Sequence, residues 1–184
     1  MSARIAVTGH RNYDDAARDV IARGVRAVLV PYAVDEADGS VGGHADGHAD
    51  GPPGRSGGPA HLVSSLAEGA DQLAAGIALS LGLQLDVVLP ADGYAETLPA
   101  DYRAPFRALL ARAASVRVLD HPEPSPDAYL AAGLAVLEGA DLLLAVWDGQ
   151  RERGIGGTAQ IVDAARAGGI EVAVVWPDGY ARPA

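Results

Sequence analysis

Gly154-Ile155-Gly156-Gly157-Thr158 follows the apolar run Leu142-Leu143-Leu144-Ala145-Val146-Trp147 and opens an Ala-rich segment, 158–167, that reads as a helix. A glycine-rich turn from a strand into a helix N-terminus lets the backbone approach an anion. Unpaired N–H groups and the helix dipole favour negative charge at that point. Strand, glycine turn and helix form the repeating unit of an α/β sheet, and the turn marks the sheet's ligand-binding edge. The pattern points to a phosphorylated small molecule and leaves open whether that molecule is bound or cut.

Outward from this stretch the same alternation recurs. Ile5-Ala6-Val7 is a short apolar run that ends at Thr8-Gly9-His10-Arg11. Asp14 or Asp15 caps a helix running towards Val30, with Val20, Ile21, Val25, Val28 and Leu29 along one stripe. His61-Leu62-Val63-Ser64 reads as a second strand. Ser65-Leu66-Ala67-Glu68-Gly69-Ala70-Asp71 leads into a helix through about Leu81, ended by Gly82. Leu85 to Leu89 is a third strand, stopped by Pro90. A loop bearing Tyr94 precedes a helix around Tyr102 to Ala114. Val116 to Leu119 is a fourth strand, and Ser125 or Asp127 starts the next helix, to about Glu138. Leu142 to Trp147 and Glu171 to Trp176 are the fifth and sixth strands. Continuous apolar strands are expected where helices cover both faces of a parallel sheet. The expected fold is α/β: a doubly wound, mostly parallel, six-stranded Rossmann-like sheet, with strands one, two and five meeting near its centre.

Composition narrows the function. The chain has 184 residues, a length that suits one domain, and 49% of them are hydrophobic. The formal net charge is −10, and every basic residue is Arg. An acidic chain without a basic stripe is a poor candidate for nucleic-acid binding, because neutralising phosphates supplies most of that affinity. The lack of Lys removes Schiff-base chemistry and the Walker-type phosphate lysine. The lack of Cys removes disulfides, thiol nucleophiles and Cys-ligated metal centres. No signal peptide precedes the first strand and no apolar run approaches a membrane span, so a cytoplasmic location and no membrane partner are expected.

The segment from Asp35 to Pro59 departs from the pattern. It is dominated by Gly, Asp, His and Pro and carries the tandem Gly43-His44-Ala45-Asp46 and Gly47-His48-Ala49-Asp50. Such a composition buries too little surface to offset ordering entropy, so it reads as a flexible low-complexity insertion at about 35–59. Its His/Asp spacing lacks the supporting polar residues that ordered metal sites need, and no metal site is assigned. Replacing the segment with a short Gly/Ser linker is expected to leave the melting temperature nearly unchanged. A large drop would reveal an ordered element there.

Three strand ends carry small or polar groups: Thr8, Gly9, His10 and Arg11 after the first; Ser65, Glu68, Gly69 and Asp71 after the second; Asp148, Gly156, Gly157 and Thr158 after the fifth. Taken singly, each has a plain alternative, such as a βα turn with Thr158 as N-cap or Asp71 as a helix cap. Together they form one ligand-binding edge. Arg11 suits a bidentate phosphate contact, or else a surface salt bridge. His10 suits a phosphate or ribose contact, and Glu68 or Asp71 can accept from ribose hydroxyls. Trp147 is read as core or as a stacking surface, and Tyr94 as part of a lid.

In their order and spacing, Thr8-Gly9-His10-Arg11, Ser64 to Asp71 and Gly156-Gly157-Thr158-Ala159 resemble the SLOG superfamily over nearly the whole chain except the insertion. That superfamily comprises Rossmann-like nucleotide-binding domains. It includes DNA-processing protein A and the "lonely guy" phosphoribohydrolases. The resemblance implies a pocket for a nucleotide or nucleotide-derived ligand, and no cofactor beyond it. The phosphoribohydrolases carry Pro-Gly-Gly-x-Gly-Thr-x-x-Glu, whose Glu serves glycosidic cleavage, whereas here Ile161 stands at the Glu position. An Ile neither activates water nor stabilises an oxocarbenium ion. The expected function is therefore binding or sensing without catalysis. The alternative is a nucleotide N-glycosidic hydrolase with a substitute carboxylate from Glu68, Asp71, Asp148 or Glu152, of which Glu68 is the candidate. A homodimer through the aliphatic helices 70–81 and 128–137 is also expected.

Overall fold

The computed structural model describes residues 2–34, 58–151 and 157–181. Nearly all of the 35–59 insertion, with His44 and His48, and the 152–156 part of the glycine turn, with Gly156, lie outside the described residues. The six described strands are β1 (Arg4–Gly9), β2 (His61–Ser64), β3 (Gln84–Leu89), β4 (Ser115–Val118), β5 (Leu142–Val146) and β6 (Glu171–Val175). They form one sheet in the order β4-β3-β2-β1-β5-β6, and every pairing is parallel. The order reverses between β1 and β5, which places β2, β1 and β5 side by side as the sequence implied. A crevice beyond the strands' carboxyl ends at such a reversal is where open α/β sheets bind ligands.

Alternating side chains divide the core in two. Ile5 and Val7 of β1 and Leu142, Leu144 and Val146 of β5 face one layer; Ala6, Leu143 and Ala145 face the other. The first layer is covered by α1 (Asp15–Leu29), α2 (Ala70–Ser80), the short α3 (Tyr94–Thr97) and α4 (Ala100–Leu110). The second is covered by α5 (Pro126–Val136) and α6 (Thr158–Ala167). In α1, the buried Ala17, Ile21, Val25 and Leu29 recur every four residues, which makes one apolar stripe of the helix.

Local chemistry sets the helix starts. Asp14, rather than Asp15, caps α1: its Oδ1 accepts the Ala17 N–H at 2.8 Å. Ser125, rather than Asp127, caps α5, accepting the Ala128 N–H at 3.2 Å with Pro126 at the first helical position. At α6 the alternative of Thr158 as N-cap does not hold. Gly157 holds the extended cap conformation (φ −75°, ψ 163°), and Thr158 is the buried first residue of the helix.

At the amino edge of the sheet, the Asp86 carboxylate on β3 is held by three donors. Arg4 Nη1 lies at 3.0 Å, His61 Nδ1 at 2.9 Å and Ser115 Oγ at 2.6 Å. This network ties the first four strands together, at the edge opposite the strands' carboxyl ends. It explains how a carboxylate is accommodated in an otherwise apolar strand.

Candidate functional site

The carboxyl ends of β1, β2 and β5 open onto a cavity of about 230 Å³. Thr8, Gly9, His10 and Arg11 line it from β1, Ser65 and Asp71 from the β2–α2 segment, and Gly157 and Thr158 from the start of α6. The described end of the glycine turn therefore meets the first two motifs in one crevice, with the α6 N-terminus directed at it.

The segment between β2 and α2 is a tight loop, and α2 begins only at Ala70. Leu66 adopts φ 55°, the one positive value for a non-glycine residue among those described. Its N–H donates to Ser64 Oγ at 2.9 Å, and its carbonyl accepts from Gln72 Nε2 at 3.1 Å. Its side chain is fully buried, and such over-determination is what maintains a residue in a sparse backbone region. Ser64 Oγ in turn donates to Asp71 Oδ2 at 3.0 Å.

Asp71 is the carboxylate that the fold places on the cavity. It is 6% exposed, and burial pushes its pKa from 3.8 up to about 6. The Ser64 hydroxyl, the Ala67 and Ser65 N–H groups and the Arg11 charge offset only part of that desolvation. Glu68, the sequence candidate for catalysis, is not among the lining residues. It accepts from Arg11 Nη1 at 3.3 Å. Glu68 lies two residues before α2 begins at Ala70, and the loop sets its carboxylate against Arg11.

Arg11 does line the cavity, but with its charge already shared. It is about half exposed, pairs with Glu68, and its Cζ lies 5.7 Å from the centre of the Tyr129 ring. His10 is 9% exposed, with Nε2 2.9 Å from Asp148 Oδ1 and its ring edge-on to Trp176 at 5.1 Å. Asp148 Oδ1 also accepts the Gln150 N–H at 3.0 Å. Asp148 thus stands behind His10 and orients it, and is not itself among the lining residues.

The two glycines of the first two motifs also allow close packing. A Cβ on Gly9 would lie 2.5 Å from the Ala70 Cβ and 2.7 Å from the Val146 Cβ, so Gly9 lets α2 dock on β1 and β5. Gly69, at φ +83°, lies against the backbone of Arg11 and lets the Ala70 N–H bond to the His10 carbonyl at 3.2 Å.

One wall of the cavity was not legible in the sequence. Tyr129, Ala132, Gly133 and Val136 of α5 and Ile161 of α6 make it apolar. The Ile161 Cδ1 would lie 2.6 Å from a Cβ on Gly133, so the side chain fills a notch in α5. Only the small residues of α5, spaced at helical period, hinted at close helix packing. Tyr94 is corrected from lid to wall. It is 4% exposed, opens α3, and packs edge-on against Phe106 and Tyr129, each at 6.0 Å. Trp147 also lines the cavity, its indole N–H donating to the Gln150 carbonyl at 2.8 Å, with Arg166 over its ring.

No family model matches the chain. No curated protein matches it by sequence either. Solved structures do match in fold. DNA processing protein A (DprA) from Streptococcus pneumoniae superposes with a TM-score of 0.60 at 14% identity, over 94% of this chain and 50% of that one. DNA processing protein A from Helicobacter pylori, solved for its single-stranded DNA binding mode, gives 0.60 at 15%, over 94% and 64%. A molybdenum cofactor binding protein from the phototrophic bacterium Rippkaea orientalis gives 0.54 at 11%, over 95% and 76%. The chain thus shares the doubly wound, Rossmann-like fold of these proteins, and it spans 50% and 64% of the two DNA-processing proteins. Among the described residues no helix is long and apolar enough to cross a membrane.

Proposed function

We propose that the chain binds or senses a nucleotide or nucleotide-derived small molecule at the β1/β5 crevice, without cleaving it. The observation that supports this best is the convergence of three strand ends on one cavity at the point where the strand order reverses. The phosphate sits at the α6 N-terminus, within reach of Arg11, and the apolar α5–α6 wall takes the less polar part of the ligand. Ile161 leaves that wall without a carboxylate. The partner is a small molecule rather than a nucleic acid, in keeping with the net charge of −10, and the setting is cytoplasmic.

A thermal-shift screen of nucleotides tests this directly. A ligand at one hundred times its Kd stabilises the fold by about 2.7 kcal/mol. Arg11→Ala, which removes the charge, and Gly157→Val, which crowds the backbone donors, are each expected to abolish the shift. A screen in which no nucleotide shifts the melting temperature refutes the proposal.

The second reading, N-glycosidic hydrolysis, has one observation in its favour: Asp71, rather than Glu68, is the carboxyl on the cavity, and its raised pKa suits a proton donor near neutrality. Release of free base from any stabilising nucleotide, lost in Asp71→Asn, would establish it over the binding reading.

A twofold contact through α2 and α5 belongs to the same proposal. The half-exposed Leu134 of α5 offers apolar surface for it. Light scattering is expected to show a dimer, and a monomer at high concentration disposes of that contact.

A further inference from the structure

A second cavity, of about 490 Å³, lies between the start of α1, the start of α2 and α4. The 65–72 segment divides it from the strand-end crevice: Ser65, Ala67 and Asp71 line one, Gly69 and Gln72 the other. Gln72 contributes to its wall and is only 7% exposed. Its Nε2 donates to the Leu66 carbonyl at 3.1 Å and the Tyr102 carbonyl at 3.3 Å. Both amide hydrogens are thereby used, and turning the amide over would set its oxygen against two carbonyls. Its Oε1 is buried and has no hydrogen-bond partner among the described residues. A buried acceptor left without a donor is costly, and each such group in a folded protein calls for a partner that completes it.

The surroundings define that partner's chemistry. Asp15 and Asp101 are exposed on the lining, and no ion pair among the described residues engages either. Arg18 is the single cation against these two carboxylates. Burial pushes the Tyr13 hydroxyl up to about 12, so the ring beside the cleft stays neutral. Leu73, Pro105, Ala108 and Leu109 supply an apolar surface.

We propose that this cleft is a second binding site, for a small organic cation bearing N–H donors on an apolar chain: an alkylguanidinium or alkylamine. The cationic end pairs with Asp15 and Asp101 against the Tyr13 and Tyr102 rings, and the chain lies along Leu73 and Leu109. An N–H completes Gln72 Oε1 as the Tyr102 ring, 36% exposed at the rim, gives way.

Agmatine, which carries a guanidinium and an amine on one alkyl chain, is the probe. Titration of the intact chain by calorimetry and amide chemical shifts is expected to give saturable binding. The shifts should cluster at 13–18, 69–73 and 101–109. Binding should weaken roughly tenfold in Asp15→Asn/Asp101→Asn, whose exposed positions leave the fold intact. Arg11→Ala, at the strand-end crevice, should leave it unchanged. Absence of saturation, shifts centred on the strand-end crevice, or undiminished affinity in the double variant would each overturn the proposal. A crystal grown with agmatine that shows only a water on Gln72 Oε1 would overturn it too.

Discussion

Gly69→Ala is expected to destabilise the fold by about 4 kcal/mol, through two additive causes. The first is conformational. Gly69 sits at φ +83°, ψ −117°, a region that L side chains rarely adopt, and holding Ala there costs about 1–3 kcal/mol. The second is steric. The new Cβ would lie 2.4 Å from the Arg11 carbonyl oxygen and 2.8 Å from its C and Cα. These are backbone atoms of the neighbouring loop, which cannot rotate away, and overpacking of this kind costs about another 1–3 kcal/mol. For a chain of this length the melting temperature should fall by roughly 8–16 °C. Gly76→Ala, in the same helix, is the internal control: nothing lies within 4 Å of its Cβ position, so it should stabilise by about 0.5–1 kcal/mol. Urea unfolding reads both. A Gly69→Ala cost below about 1 kcal/mol would show that the loop is not fixed as described.

Stability should fall as pH rises from about 4 to about 6, and Asp71 is the cause. Its folded-state pKa, about 6, lies above the ordinary 3.8, so the folded protein holds the proton more tightly than the unfolded chain. Below the ordinary value both states are protonated and Asp71 adds no slope. Through the window the unfolded chain ionises first, which favours unfolding. Above about 6 both states are ionised and the full cost, on the order of 3 kcal/mol, remains. Arg11 is the cation that eases this cost, while the nearby Tyr13 and Tyr94 hydroxyls stay neutral, their pKa values raised chiefly by burial. Asp71→Asn should erase the step. It also sets an amide NH₂ among the Ser65 and Ala67 N–H donors, so its absolute stability is a poor guide. The informative quantity is the change between pH 4 and pH 6.5, measured in both proteins by urea unfolding. An equal change in the two would remove Asp71 from the account.

Both predictions fall on the β2–α2 loop and the first turn of α2, where sequence and structure part company. The alternation of apolar runs, caps and glycine stops was enough to place six parallel strands, because strand burial and helix periodicity are local patterns. The caps at Asp14 and Ser125 were narrowed to two candidates each for the same reason. The meeting of Thr8 to Arg11, Ser65, Asp71 and Gly157-Thr158 could be anticipated, since a doubly wound sheet brings strand ends to one edge.

The direction of each side chain at that edge was settled only by tertiary structure. Glu68 and Asp71 are three residues apart and chemically alike in sequence. With Leu66 and Gly69 at positive φ, α2 starts at Ala70, Glu68 pairs with Arg11, and Asp71 lines the cavity. Asp148 reads as a ligand contact until β1 and β5 pair and set His10 in front of it. The apolar wall depends on Ile161 entering the notch at Gly133, a contact between helices that neither segment announces. Local propensity determined which elements form and in what order. Close packing between elements distant in sequence decided which of the polar groups at their ends face the cavity.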